Sequence, residues 1–342
     1  MRFTVAIPVR NGSRFLAEAI RSALNQTRAA DEILIIDDNS QDDSAVIAKS
    51  SEWQGRVKYF WHQTPTGFVD AWNRLAQKAT GDYIAILHQD DLLDANYLAA
   101  MENALKRFPR VRHLYTSCRY IDGTGNVLRS SQEAHSAEPV LYSGREYARH
   151  YLRGAWRKKH IHRCPGVMTE RKLLLTECSY RKDAGHIADD DFFYRVGTFT
   201  DVIGVQKPLA SYREHDLSTT AMVNQIDLVL ARDYIYQIRH QIDRAQLLSP
   251  DDEILFHKLA VRSLNEGLYH LLLKKYSQWD VAFEIMRELN EVAPGAWNKY
   301  LPIWGKFMWI AARKNNIRMT NISVLAVRIY RGGTRRLGFK TL

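Results

Sequence analysis

The stretch Gly81-Asp82-Tyr83-Ile84-Ala85-Ile86-Leu87-His88-Gln89-Asp90-Asp91 decides how this chain is read. Its apolar run, Tyr83 to Leu87, predicts a buried strand. Two adjacent carboxylates at the C-terminal end of a strand repel each other, and neither can be buried unpaired at low cost. Solvent, an arginine or a hard divalent cation can compensate. A cation there would leave room for a phosphate-bearing ligand, because Mg²⁺ and Mn²⁺ sites combine one or two carboxylates with phosphate oxygens and water. Ligand crevices of open α/β sheets also lie at strand C-termini. The plainer alternative is that Asp91 or Asp94 caps a helix starting near Ala95.

Working outward, short apolar runs alternate with amphipathic stretches. Strands are expected at Phe3 to Pro8, Glu32 to Asp37, Val57 to Trp61 and Tyr83 to Leu87. Helices are expected at Arg14 to Gln26, Asp42 to Ser51, Phe68 to Ala79 and Leu98 to Phe108. Such alternation implies right-handed crossovers and an α/β fold with a mostly parallel sheet flanked by helices. Arg112 to Cys118 reads as a strand followed by the turn Asp122-Gly123-Thr124-Gly125-Asn126. Residues 129 to 163 read as irregular and basic, either an acceptor-binding lid or a solvated surface. Leu209 to Glu214 reads as a last strand. From about Thr220 the chain becomes helical, with candidates at Ile226 to Ile242, at Leu255 to Tyr276 behind the start signal Ser249-Pro250-Asp251-Asp252, and at Trp279 to Val292. The expected domains are therefore 1–220 and a helical C-terminal region, 221–342.

Composition narrows the class. The chain has 342 residues, 46% apolar and 25% charged, as folded globular proteins have. Cys118, Cys164 and Cys178 are scattered without C-x-x-C spacing, which argues against a disulfide framework or cysteine zinc site and suits a reducing, cytoplasmic setting. The opening apolar run is too short for a signal peptide, and no stretch approaches the ~20 apolar residues of a membrane span. The net charge of +10 resides in the tail. After Glu291 there are ten cations and no acid, which leaves 38 basic against 38 acidic residues before it. Trp297, Trp304, Phe307, Trp309 and Ile310 interleave with Lys299, Lys306, Arg313 and Lys314. That pattern suits an anionic membrane surface or a helix packed on the body with a basic outer face, and nucleic acid much less.

Three further constellations carry chemistry. Asp37-Asp38-Asn39-Ser40, with Asp42, repeats the carboxylate pair on the same sheet edge; Asn39 or Ser40 could also cap the next helix. Asp189-Asp190-Asp191 opens an aromatic helix, where the dipole favours acids. Asp191 and Arg195 fall at i,i+4 spacing, which leaves Asp189 or Asp190 to take a proton from an acceptor hydroxyl. Arg213 and His215 alternate on a strand, so both face one side. They could hold a diphosphate, or His215 could complete a metal site.

Taken in order, these residues resemble the family 2 glycosyltransferases of GT-A fold over roughly residues 3 to 220. Val5-Ala6-Ile7-Pro8-Val9-Arg10-Asn11 is similar to the family's first strand. Ser22 with Gln26-Thr27 looks like its "S-x-x-x-Q-T", and Glu32 to Ser40 plus Asp42 like its "E-I-I-x-V-D-D-x-S-x-D". Gly67-x-x-x-Ala71-x-Asn73 and Gly81-Asp82-Tyr83 recur, and Asp189 to Arg195 resembles "E-D-x-D-x-x-x-R". The resemblance implies a nucleotide-sugar half at about 1–118 and an acceptor half at about 119–220. Asp38 would accept a hydrogen bond from the base, usually uracil, flanked by Pro8 and Arg10, with Asn11 beside them. Asp90 would lie near the ribose or sugar, and Asp91 would coordinate Mn²⁺ or Mg²⁺. Arg213 and His215 would sit over the diphosphate, and Asp189 would be the general base of an inverting displacement. The implied partners are a nucleotide-sugar donor and a glycan or lipid-linked acceptor. The implied setting is cell-surface polysaccharide synthesis on the cytoplasmic face of the inner membrane. Three positions depart from the pattern: Arg10 for a common tyrosine, His88 for the first acid of "D-x-D-D", and Ala188 for the glutamate before the base. Those departures keep a non-catalytic sugar-nucleotide-binding protein as an alternative. A nucleotidyltransferase shares the alternation, but no Gly-rich phosphate loop follows the first strand. The missing G-x-G-x-x-G counts equally against a dinucleotide-dependent oxidoreductase.

Overall fold

The computed structural model describes residues 1–53, 55–131, 138–216, 218, 228–274 and 279–300. They form two compact units, the first comprising Met1–Asp216 with Arg244–Leu248.

In the first unit a single sheet collects ten strands. These are β1 (Phe3–Val9), β2 (Glu32–Asp37), β3 (Lys58–Trp61), β4 (Tyr83–Ile86), β5 (Leu92–Leu93), β6 (His113–Ile121), β7 (Val127–Ser130), β8 (Val140–Tyr142), β9 (Val167–Glu170) and β10 (Val202–Arg213). The order is β3-β2-β1-β4-β9-β6-β10-β5, with β7 on β6 and β8 on β10. β1, β2, β3 and β4 pair in parallel, as their alternation with helices requires. β2 and β4 are buried along their whole length, which is why they read as unbroken apolar runs. Beyond β4 the sheet becomes mixed. β9 inserts antiparallel to both β4 and β6, and β10 then runs parallel to β6.

The helices are α1 (Leu16–Leu24), α2 (Ser44–Ala48), α3 (Phe68–Lys78), α4 (Tyr97–Arg107), α5 (Gly144–Trp156), α6 (Arg171–Thr176) and α7 (Ala188–Arg195). One buried cluster joins α1 and α4 to the sheet through Leu16, Ile20, Leu98, Met101 and Leu105 against Phe3, Ile7, Ile35 and Leu114. The stretch expected to be irregular contains a 13-residue helix, α5. Its start is a complete capping box: the Ser143 hydroxyl accepts the Glu146 amide, and the Glu146 carboxylate accepts the Ser143 amide.

Several family-like motifs are structural clamps. Gln26, at the end of α1, donates to the Asp94 carbonyl at 2.8 Å and accepts the Leu98 amide at 3.0 Å. Ser22 accepts the Leu93 amide, and Thr27 bonds the Ala95 carbonyl. Together they pin the segment that follows the acidic pair. Glu32 ties Thr4, Lys58 and the Thr80 amide together.

The second unit is helical in its described residues: α8 (Val229–Arg239), α9 (Pro250–Lys274), α10 (Trp279–Val292) and α11 (Ala296–Tyr300). Ser249 and Asp252 cap α9 reciprocally, as the Ser-Pro-Asp-Asp signal predicts. Phe256, Leu259, Leu264, Ile285 and Leu289 are buried. No helix among the described residues is long and apolar enough to cross a membrane. Most of the basic aromatic tail, from residue 301, lies outside the described residues.

Candidate active site

The parallel register puts the ends of β1, β2 and β4 on one edge, so the loops after Val9, Asp37 and Ile86 are neighbours. Hydrogen bonds stitch these loops together. The Asn11 amide donates to Ser40 Oγ, and Asn11 Oδ1 accepts the Gln41 amide. Gln89 grips the Arg10 backbone from both sides, accepting its amide at 2.8 Å and donating to its carbonyl at 3.1 Å. That grip explains Gly12, whose Cβ would stand 2.4 Å from Gln89 Oε1. Asn39 and Ser40 do not cap α2. Ser40 Oγ serves Asn11, and Asn39 bonds the Gln63 carbonyl.

Asp38 is buried at this edge and accepts the Thr66 and Gly67 amides and the Thr66 hydroxyl. Arg10 and Arg74 approach it at 3.7 and 3.8 Å. It therefore anchors the entry to α3, where Gly67 adopts φ +88, a region that favours glycine. Pro8 lies within β1. On α3, Asn73 exchanges hydrogen bonds with the Tyr180 backbone, and Trp72 packs on both Tyr180 and His88. The Gly67-Ala71-Asn73 pattern thus links the first sheet edge to the segment before α7.

The second group is His88, Asp90 and Asp91, whose ligand atoms all lie within 4.8 Å of one another. Asp91 is 1% exposed. Its Oδ1 accepts the Arg213 amide at 2.8 Å, and its Oδ2 is buried with no hydrogen-bond partner. Asp90 is the more accessible of the pair, and its Oδ2 lies 2.9 Å from His215 Nε2. Burial, then the charge of Asp90, pushes the Asp91 carboxyl well above the usual range. Burial also acts on Asp90, but the His215 hydrogen bond and the neighbouring imidazoles hold its carboxyl below that range. The repulsion expected of adjacent acids is present, and a divalent charge would relieve it. The orphaned Asp91 oxygen fits such an ion.

Arg213 is fully occupied behind this pair. It donates to the Asp90 carbonyl at 2.7 Å and to Glu18 at 2.8 Å, and it stacks over Phe15 with its guanidinium carbon 4.4 Å from the ring centre. The strand ends at Arg213, so His215 lies beyond it; both nevertheless contact Phe15 and Asp90, and Arg213 holds the acidic loop from behind.

The third group opens α7. Arg195 pairs with Asp191 at 2.8 Å, the expected i,i+4 bridge. Tyr151 of α5 donates to Asp190. Asp189 is partly exposed, accepts the Asp190 amide, and has no side-chain partner among the described residues. Burial first, then the charge of Asp190, pushes its carboxyl up to about 7. Arg163, on the segment before β9, opposes that rise and acts likewise on Asp91 and Asp190. One cation therefore sits within electrostatic reach of both acidic groups. Its guanidinium carbon lies 5.1 Å from the Tyr212 ring centre. Tyr151 and Arg163 were not legible as site residues. Tyr151 had a findable signal, the capping box of its helix; Arg163 had none.

The mixed sheet flanked by helices has the GT-A glycosyltransferase fold, which solved structures of that class share. S. aureus TarS in complex with UDP-GlcNAc shares the fold, with a TM-score of 0.63 at 14% identity, over 97% of this chain and 92% of that one. A mannosyltransferase from Pyrobaculum calidifontis, in complex with GDP-Man and Mn²⁺, aligns with a TM-score of 0.52 at 18% identity, over 87% of this chain and 88% of that one. An uncharacterised glycosyltransferase of Rickettsia typhi is 34% identical over 240 residues, 66% of this chain and 68% of that protein. Residues 4–172 match the profile of glycosyl transferase family 2. The chain belongs to that family. It spans only 18 to 22% of the length of the first curated relatives it matches.

Proposed function

We propose that this protein transfers a sugar from a nucleoside diphosphate sugar, UDP-linked, to a hydroxyl of a glycan or lipid-linked acceptor, with inversion at the anomeric carbon. The observation that carries this reading is the division of labour in Asp189-Asp190-Asp191. Tyr151 occupies Asp190 and Arg195 occupies Asp191, which leaves Asp189 partly exposed and free of side-chain partners among the described residues.

A carboxylate whose pKa lies near neutrality suits a general base, since it is ionised at working pH and still takes a proton readily. In this proposal Asp189 accepts the proton of the attacking hydroxyl at its free oxygen. The acidic pair Asp90 and Asp91 would hold Mn²⁺ or Mg²⁺, and the orphaned Asp91 oxygen would be one of its donors. The bound cation would offset negative charge developing on the departing diphosphate. Arg213 serves as a positioning residue that fixes the Asp90 backbone, and His215 orients the Asp90 carboxylate. Pro8, Arg10, Asn11 and Asp38 frame the base-binding edge, with Arg10 offering an exposed guanidinium. In this reading residues 1–118 would serve as the donor half and 119–220 as the acceptor half of a catalytic domain, with 221–342 as a C-terminal region.

The acceptor reading extends to the tail, whose aromatic and basic residues suit an anionic membrane carrying a lipid-linked acceptor in surface polysaccharide synthesis. Flotation with anionic vesicles at low and high salt tests this; no binding at low salt discards it. The transfer reading is tested by Asp189→Asn, which is expected to bind donor normally and lose turnover. Equal loss of binding and turnover moves the base elsewhere.

A further inference from the structure

The position where the family pattern carries an acid is held here by His88, and its surroundings give it the features of a metal ligand. Its ring stacks on Trp72, centroids 5.5 Å apart and planes 11° from parallel, which fixes its orientation. Its Nδ1 lies 3.6 Å from Asp91 Oδ2. That is too long for a hydrogen bond but within the range spanned by two donor atoms each ~2.1 Å from one ion. Asp91 is buried, and that same Oδ2 has no other partner.

We propose that His88 Nδ1 is a direct ligand of the cation, and that this nitrogen makes the site selective for Mn²⁺ and other transition ions over Mg²⁺. The inference rests on the cation site proposed above and goes beyond it in assigning the donor set and the metal class. Mg²⁺ is a hard ion that seeks oxygen ligands and releases water reluctantly. A mixed imidazole and carboxylate site gains affinity along the first transition row, whereas a site of carboxylates alone leaves Mg²⁺ competitive. Replacing His88 by an acid therefore exchanges a nitrogen donor for an oxygen donor at the same place.

The experiment uses the full chain loaded with Mn²⁺ and UDP and reads the metal directly. Pulsed EPR detects ¹⁴N coupling to Mn²⁺, and calorimetry gives Mn²⁺ and Mg²⁺ affinities. The wild type is expected to show imidazole ¹⁴N coupling and to bind Mn²⁺ at least ~10-fold more tightly than Mg²⁺. His88→Asp is expected to lose that coupling and to narrow the preference by a similar factor while still binding Mn²⁺. His88→Gln separates loss of the imidazole from gain of a charge and is expected to lose coupling as well. Coupling that persists in both His88 variants and vanishes in His215→Asn assigns the nitrogen to His215 and overturns the proposal. Mn²⁺ binding without any ¹⁴N coupling in the wild type overturns it while leaving the cation site intact. Absence of Mn²⁺ binding, with and without UDP, overturns both. Circular dichroism of each variant shows that it is folded before its spectrum is compared.

Discussion

Tyr151 donates its phenolic hydrogen to Asp190, one residue from the proposed base. The bond holds Asp190 in place, and the charge of Asp190 is the second cause, after burial, that raises Asp189 to about 7. A helix absent from the expected pattern thus conditions the residue on which the chemistry is proposed to turn.

Asp189→Asn should lower kcat by ~10²–10⁴-fold, the usual contribution of a positioned base. Donor affinity, measured by calorimetry with Mn²⁺ present, should stay within a few-fold of wild type. A kcat within tenfold of wild type assigns the proton to another group.

The pH profile follows from the raised carboxyl. Asp189 must be ionised to act, so kcat/KM should rise with pH and level off above about 7. Asp190→Asn removes the neighbouring negative charge and should move this limb to lower pH. A limb that stays in place, or moves upward, contradicts the assignment.

The same shift makes a stability prediction. Asp189 binds its proton more tightly folded than unfolded, where the reference value is ~3.9. Between that value and about 7 the folded state holds more protons, so stability falls as pH rises through the window. Asp189→Asn removes this term. Its Tm relative to wild type should be higher at pH 8 than at pH 4, measured by calorimetry at matched ionic strength. Equal differences at both pH values would show that the carboxyl is not raised.

Gln26→Ala tests the clamp behind the acidic loop. The side chain is 7% exposed and satisfies both the Asp94 carbonyl and the Leu98 amide. Its removal leaves buried polar groups unpaired and should cost about 1–3 kcal/mol in urea unfolding. A change below about 0.5 kcal/mol, the range of ordinary surface substitutions, shows that water replaces the clamp.

Strands β1, β2 and β4 were legible because they are buried on both faces and read as near-continuous apolar runs, Ile33 to Ile36 most plainly. The last strand was legible only from Leu209. Lys207-Pro208 interrupts the run, and the structure carries a register shift at Pro208, where proline is tolerated because the ladder is already broken. The antiparallel insertion of β9 leaves no local mark, since strand partners are chosen by tertiary packing. Helix α5 was hidden by its basic surface, although Ser143-x-x-Glu146 announced it. At the site, spacing separated Asp191 from its neighbours, but choosing between Asp189 and Asp190 required Tyr151, 39 residues away in sequence. Arg213 and His215 both reach Asp90, but the strand ends at Arg213, and alternation could not show that Glu18 and the Asp90 carbonyl already occupy the arginine.

The most direct test of the account is calorimetric titration of UDP-sugars into the wild type and Asp90→Asn, each with Mn²⁺ and again with excess EDTA. The account predicts that the wild type binds at least one UDP-sugar only when Mn²⁺ is present, and that the variant, folded by circular dichroism, loses this binding. Binding that is equally tight in EDTA, or that survives unchanged in Asp90→Asn, contradicts a donor held through a cation at the end of β4.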